Sequence, residues 1–338
     1  MNITFLIGNG FDLACGLPTS YADVYEEYIK QPSESLVVKK FKEDLIANKT
    51  KEKWGNWADF EMGMADYAKN FETEKEFIEC VSDFKDFLIR YLRKVEIGFL
   101  RKFRVEQDSY KDFSFFLNND IIKFYSGLSK NLDNELKPHP LLPDERIFVN
   151  FNYTSIFERV LKHSQFEKAK VLHIHGKLGE DGIVLGVNDI EQIKTKFLLT
   201  KKGKRVFIKP FFNQDFDKQK IQETFQTIMH SNCICVFGLS LGDSDLMWKT
   251  CLVDWLKQKT DHHIFIYDYN CSMIGIEDAA LKMNEEDDQK EIILKRLGIF
   301  TEDCPFLDQV HIPIGKQLFS IFGAVKAILE KNSVAKSA

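Results

Sequence analysis

Six short apolar runs, each stopping at a polar or glycine-rich turn, constrain this chain more than any other feature. They are Ile3–Ile7, Arg146–Phe151, Lys170–His175, Ile183–Val187, Asn232–Phe237 and His263–Asp268. Runs of this length, rich in β-branched residues and lacking strict alternation, read as strands buried on both faces of a parallel sheet. Helical spacing follows them at 153–163, 216–230, 244–258, 284–297 and 316–330. Strands that alternate with helices join by right-handed crossovers, and the helices then cover both faces of the sheet. The expected fold is α/β, a doubly wound parallel sheet of Rossmann type.

One long segment breaks the alternation. From Tyr21 onward the texture turns Lys/Glu-rich and amphipathic, and in 74–104 Phe77, Val81, Phe84, Phe87, Leu88, Tyr91 and Leu92 recur every three or four residues. That is the stripe of a core-facing helix. Pro138, Pro140 and Pro143 mark the return to short runs. The organisation expected is a nucleotide-binding core at 1–30 and 141–332, split by a helical insertion or cap at 31–140. Phe occurs 30 times in the chain, and the insertion's share suits a pocket lid, a self-association surface or a helical subcore.

Composition removes several classes of function. Lys+Arg 46 against Asp+Glu 51 gives a net charge of -5, which argues against a DNA-coating protein. The basic cluster Lys201–Arg205 reads as a solvated loop, so nucleic acid is not an expected partner. Seven cysteines, at 15, 80, 233, 235, 251, 271 and 304, include no C-x-x-C pair. Buried reduced thiols are expected, rather than disulfides or structural zinc. No run approaches the roughly 20 apolar residues of a membrane span. The opening residues lack the basic start of a signal peptide, so a cytoplasmic protein without a membrane partner is expected.

In such a sheet ligands bind beyond the carboxyl ends of the strands. The first strand runs into Gly8-Asn9-Gly10-Phe11-Asp12, whose paired glycines would let the backbone approach a pyrophosphate. The dinucleotide fingerprint G-x-G-x-x-G would need glycine at Leu13. Asn150-Phe-Asn152-Tyr-Thr154 follows the second strand, and His173-Ile-His175-Gly176 ends the third. At strand periodicity both imidazoles share a face, and Gly176 leaves room beside His175. Metal would need further ligands; Asp243, Asp245 and Asp268 are available, but no recognised spacing links them. A histidine base ranks above a metal site. Gly238-Leu-Ser240-Leu-Gly-Asp243-Ser-Asp245 follows Asn232–Phe237 and offers small residues and hydroxyls suited to a ribose or phosphate.

Taken in order, these elements resemble the sirtuin-like NAD-binding domain, and more narrowly the AbiH family of bacteriophage abortive-infection proteins. The opening LIGNGFDLACGLPTSY is the most specific piece, joined by NFNYT, HIHG, GLSLGDSD and the element Trp54–Glu61. The resemblance implies an antiphage effector that hydrolyses NAD, its substrate, to nicotinamide and ADP-ribose. It implies Asn152 and His175 as catalytic residues. Gly8, Asn9, Gly10, Asp12, Gly176, Gly238, Ser240 and Asp243 would bind the dinucleotide, with Asp12 toward the nicotinamide ribose and no metal. His173 would stand behind them. The zinc-binding cysteine module of deacetylase sirtuins is absent, which points to water rather than acetyl-lysine as acceptor. A phage-derived trigger and self-association are the expected partnerships. Two rivals remain open: a non-catalytic sensor of NAD or a related nucleotide signal, and a metal-dependent hydrolase or nuclease built on His173 and His175.

Overall fold

The computed structural model describes residues 2–49, 60–104, 147–162, 168–180, 182–216, 218–267, 278–299 and 304–312. Its centre is a six-stranded parallel sheet built from β1 (Ile3–Ile7), β2 (Ile147–Asn150), β3 (Lys170–His173), β6 (Cys233–Phe237), β7 (His263–Tyr267) and β8 (Val310–His311), in the order β3-β2-β1-β6-β7-β8. From β1 the chain builds outward through β2 and β3, then returns to the other side of β1 and builds outward again from β6. The crevice between β1 and β6 is therefore the switch point, where α/β proteins of this topology bind ligands.

Every residue of β1 is buried, because the sheet is covered on both faces. Ile3, Phe5 and Ile7 pack with Phe148 and Cys235 against Phe11 of α1 (Gly10–Ala14) and Phe157 of α6 (Ile156–Leu161). Leu6, Val149 and Val236 face the other way, into a cluster with Trp248, Leu252 and Trp255 of α10 (Leu246–Gln258). Such burial on both faces explains why the sequence shows continuous apolar runs instead of alternation.

Between β1 and β2 lie α2 (Tyr21–Tyr28), α3 (Leu36–Lys49), α4 (Phe60–Tyr67) and α5 (Glu74–Arg104). Phe41, Phe60, Phe71, Phe77 and Phe84 are buried there, and Phe60 stacks on Phe84 with ring centroids 3.7 Å apart. This cluster also takes in Ile183, Leu185, Val187, Leu199 and Phe207, from the chain between β3 and β6. The helical segment thus shares one apolar core with that crossover.

Several expectations need correction. Ile183–Val187 adds no strand to the main sheet: β4 (Gly176–Lys177) and β5 (Gly182–Ile183) form a separate antiparallel pair, and Val187 makes only a bridge to Ile208. Lys201–Arg205 is not a loop. Thr200 caps the helix α7 (Lys201–Phe207), accepting from the Lys202 N–H, and α8 (Lys209–Phe216) follows it. The helix expected over 153–163 spans only α6, because residues 151–155 are spent on the turn after β2. The helical patterns at 216–230 and 284–297 are α9 (Lys218–Met229) and the longer α11 (Ala279–Leu297). β8 had no counterpart among the apolar runs. Residues 316–330, Cys271 and Trp54–Asp59 lie outside the described residues. Cys15, Cys80, Cys233, Cys235 and Cys251 are buried and free. No helix among the described residues is long and apolar enough to cross a membrane.

Candidate functional site

The strand ends on either side of the switch point are locked together by backbone. Gly8 N–H donates to Phe237 O at 2.8 Å, and Gly10 N–H donates to Gly238 O at 2.8 Å. A Cβ on Gly10 would sit 2.4 Å from Gly238 Cα, and one on Gly8 would sit 2.4 Å from Gly238 O. The glycines are therefore needed for two loops to touch. The N–H groups of both glycines already have carbonyl partners. Asn9 spends its side chain similarly, donating to Thr19 O at 2.9 Å while its Oδ1 accepts from the Thr19 hydroxyl at 2.8 Å.

Asn152 is fixed from two directions. Its N–H donates to Asn150 Oδ1 at 2.9 Å and its Nδ2 donates to Gly8 O at 3.1 Å. Asn150 thus shapes the turn that aims Asn152 at the end of β1. Two residues on, Thr154 Oγ1 donates to Asp12 Oδ2 at 2.6 Å. Burial pushes the Asp12 carboxyl up to about 7; the Thr154 hydrogen bond opposes that, and the charges of Glu96 and Glu158 add to it. A buried acid held near neutral pH in the short helix that follows β1 is a candidate functional group.

His173 and His175 part company. β3 ends at His173, so strand periodicity does not reach His175 and the expectation of a shared face has no basis there. His173 Nδ1 lies 3.1 Å from Asn152 O, and its Nε2 pairs with Glu158. His175 instead sits edge-on to Phe151, with ring centroids 5.5 Å apart, and its Nε2 lies 3.4 Å from Asp245 Oδ1. Burial, then the charge of Lys209, push the His175 imidazole down to about 3, against Asp245 and the Phe151 backbone. It is a neutral ring at physiological pH. Among the described residues, no group of three or more His, Cys, Asp or Glu is placed to hold a metal ion.

Three buried side-chain atoms here have no hydrogen-bond partner: Asp12 Oδ1, Asn152 Oδ1 and His175 Nε2. Folded proteins satisfy most buried polar atoms, and each exception asks for an explanation. All three belong to residues singled out in the sequence. Gly176 is different: its φ is +76° and a Cβ there would meet Gly182 O at 2.1 Å, so it serves the β4–β5 turn. Ser240 is exposed. Asp243 is exposed too and takes a hydrogen bond from Lys249 Nζ at 2.8 Å. Gly238, at φ +64°, packs on Gly10.

Sequence reasoning missed Lys209. Its buried ammonium donates to Glu61 Oε2 at 3.0 Å, Ser244 O at 2.8 Å and Asp245 Oδ1 at 3.0 Å. Burial works against this charge, but Asp245 and Glu61 outweigh it and hold the group above its ordinary value. Asp245 is likewise opposed by burial but kept below the usual carboxylate range by Lys209 and His175. Glu61 and Asp245 both lie in quoted motifs, yet nothing in the sequence marks Lys209, which sits at a helix start amid other lysines.

Fold and site together define a doubly wound α/β protein whose strand ends hold a buried acid, amide and imidazole, backed by a Lys–Glu–Asp bridge. The family model described as bacteriophage abortive infection AbiH matches residues 4–267. The chain belongs to the AbiH family, and membership points to a role in phage abortive infection. No curated protein matches the chain.

Proposed function

We propose that this protein is an abortive-infection effector that hydrolyses NAD to nicotinamide and ADP-ribose. The observation that carries the reading is the trio of buried polar atoms without a hydrogen bond on Asp12, Asn152 and His175 beyond the carboxyl ends of β1, β2 and β3, the His175 atom facing Asp245 at 3.4 Å. Acceptors with no donor among protein groups suit the hydroxyls of a ribose and an attacking water.

The chemistry asks little of a general acid. The bond between C1′ of the ribose and the pyridinium nitrogen breaks with its electron pair going to nicotinamide, which leaves neutral. Water forms the new bond to C1′ and gives up one proton. In this reading Asn152 orients the water or a ribose hydroxyl, and His175 Nε2 takes the proton. The imidazolium so formed lies against Asp245, which stabilises it as a carboxylate stabilises a charged histidine in hydrolases. Asp12 faces the nicotinamide ribose, where an anionic carboxylate supports the oxocarbenium ion. Engagement of the Gly8 and Gly10 N–H groups within the protein leaves the diphosphate to other groups on the crevice rim, with Gly238, Ser240 and Asp243 toward the adenosine half.

A second reading has its own support. His175 is held far below ordinary imidazole basicity, which suits a site that binds a nucleotide without moving a proton. The test separates the two. Full-length protein incubated with NAD and lysate of infected cells should release nicotinamide, unaffected by chelator, and His175→Ala or Asn152→Ala should abolish release. Cells expressing His175→Ala should lose both NAD depletion and phage protection. Protection that survives this change with NAD levels steady would overturn the hydrolase and favour the sensor.

A further inference from the structure

Of the buried charge cluster formed by Lys209, Glu61 and Asp245, the reaction proposed above uses only Asp245. Lys209 has three N–H donors and all are spent, on Glu61, Asp245 and the Ser244 carbonyl. Its backbone is pinned as well, since Lys209 N–H donates to Val187 O at 2.8 Å. Glu61 is tied in turn, its Oε1 accepting from Gly186 N–H at 2.9 Å. Glu61 belongs to α4, in the helical segment between β1 and β2, whereas Asp245 follows β6 and faces the His175 ring. Three separate stretches of chain thus meet at one ammonium.

Two buried carboxylates share that single ammonium, so the bridge carries a net negative charge. A truncated partner would leave a buried charge uncompensated, a strongly unfavourable state. Each member therefore fixes the others in place. Asp245 can approach His175 only as Lys209 allows, because both neighbours compete for the same Oδ1.

We propose that Lys209 is a positioning residue for His175: anchored by Glu61, it keeps the Asp245 carboxylate bound to itself, in contact with the imidazole but short of a full ion pair with it, and couples the helical segment to the strand ends. The inference deepens the hydrolase reading and rests on it for its catalytic meaning, but the coupling itself does not require turnover. Movement of α4 would shift Glu61, relax the grip of Lys209 on Asp245 and hand that carboxylate to His175. The site would then exchange a neutral ring for a charged one, a route by which a trigger acting on the helical segment reaches the chemistry.

Among the described residues, the charged and titratable groups around the ring are Asp245, Lys209 and Tyr153, with Glu61 behind Lys209. Lys209 lowers the basicity of His175 and Asp245 raises it, so losing the lysine acts in one direction twice: a repelling charge goes, and Asp245 is freed to pair. The test is a pH titration of the His175 ring by two-dimensional NMR on full-length protein with labelled histidine, the signal assigned with His175→Ala. Wild type and Lys209→Arg should keep the ring neutral below pH 5. Lys209→Met should raise the midpoint by more than one pH unit, a tenfold or greater gain in proton affinity. An unchanged midpoint in folded Lys209→Met overturns the proposal. Should that variant not fold, Lys209→Gln with Glu61→Gln removes both charges, leaves Asp245 facing His175 and should give the same rise; an unchanged midpoint there overturns it equally. The titration reads the bridge whether or not the protein hydrolyses NAD, so a failed activity assay and a failed coupling remain distinct results.

Discussion

Replacing Gly10 by alanine separates two roles for the glycine turn after β1. If the turn exists to approach a phosphate, the added methyl should weaken ligand binding and leave the fold alone. The structure assigns the space differently: the new Cβ would lie 2.4 Å from Gly238 Cα and 3.1 Å from Gly238 O. Backbone cannot rotate aside as a side-chain tip can, so the two loops must separate. Overpacking of this kind costs about 1–3 kcal/mol. The hydrogen bond from Gly10 N–H to Gly238 O stretches with it, adding about 1 kcal/mol. We expect a loss of about 2–4 kcal/mol, seen as a melting temperature lower by about 3–6 °C for a chain of this size. Gly98→Ala is the internal control. Gly98 lies within α5 and a Cβ there meets nothing within 4 Å, so alanine should stabilise by about 0.5–1 kcal/mol through helix propensity. Thermal denaturation of both variants without ligand decides the matter. A Gly10→Ala protein melting within a degree of wild type would refute the loop-contact argument and return the turn to a ligand.

Three further outcomes follow from the same geometry. The Asp12 carboxyl is held near 7 in the folded state against an ordinary 3.8, so folding favours its protonated form; its contribution is complete below about pH 4 and lost as pH rises toward 7, a few kcal/mol in all. Asp12→Asn should flatten stability between pH 4 and 7 in denaturant titrations at each pH, and an unchanged slope would remove Asp12 as its source. His173→Ala should destabilise by about 1–3 kcal/mol, because Asn152 O and Glu158 lose their shared partner. A His173→Ala protein melting within a degree of wild type would contradict that pairing. Nicotinamide release, where it occurs, should fall only partially in His173→Ala and entirely in His175→Ala.

The sheet was legible because burial on both faces leaves uninterrupted apolar runs, and five of the six expected runs are strands of the main sheet. Ile183–Val187 misled because its apolar residues serve the helical segment's core, where Leu185 and Val187 pack beside Phe207 without joining a ladder. Such a run has the composition of a strand but its backbone partners are set by distant chain. The basic stretch 201–205 failed for a related reason: its lysines hide the Thr200 cap and the buried Phe207 that make it a helix. At the site, Asp12, Asn152 and His175 could be read because each lies within a few residues of a strand end. The splitting of His173 from His175 could not, since it depends on β3 ending two residues before the motif does.

Lys209 shows where local reading stops. A lysine at the start of a helix is by itself an ordinary surface residue, and its distant partners Glu61, 148 residues earlier, and Asp245, 36 residues later, make it a buried one. Nothing within ten residues of any of the three encodes that meeting. Yet the bridge explains why the helical segment carries a glutamate among its aromatics: a carboxylate in an apolar cluster is costly unless a cation reaches it, and the cation comes from the crossover that shares its core. The two halves of the chain are therefore joined by apolar packing and also by one charge balance that neither half can satisfy alone. Separating them would strand Glu61 on one side and an underscreened Asp245, touching His175, on the other. A helical segment that was merely an independent subcore would have no reason to place its buried carboxylate there, and the placement argues that its role is exercised through the strand ends.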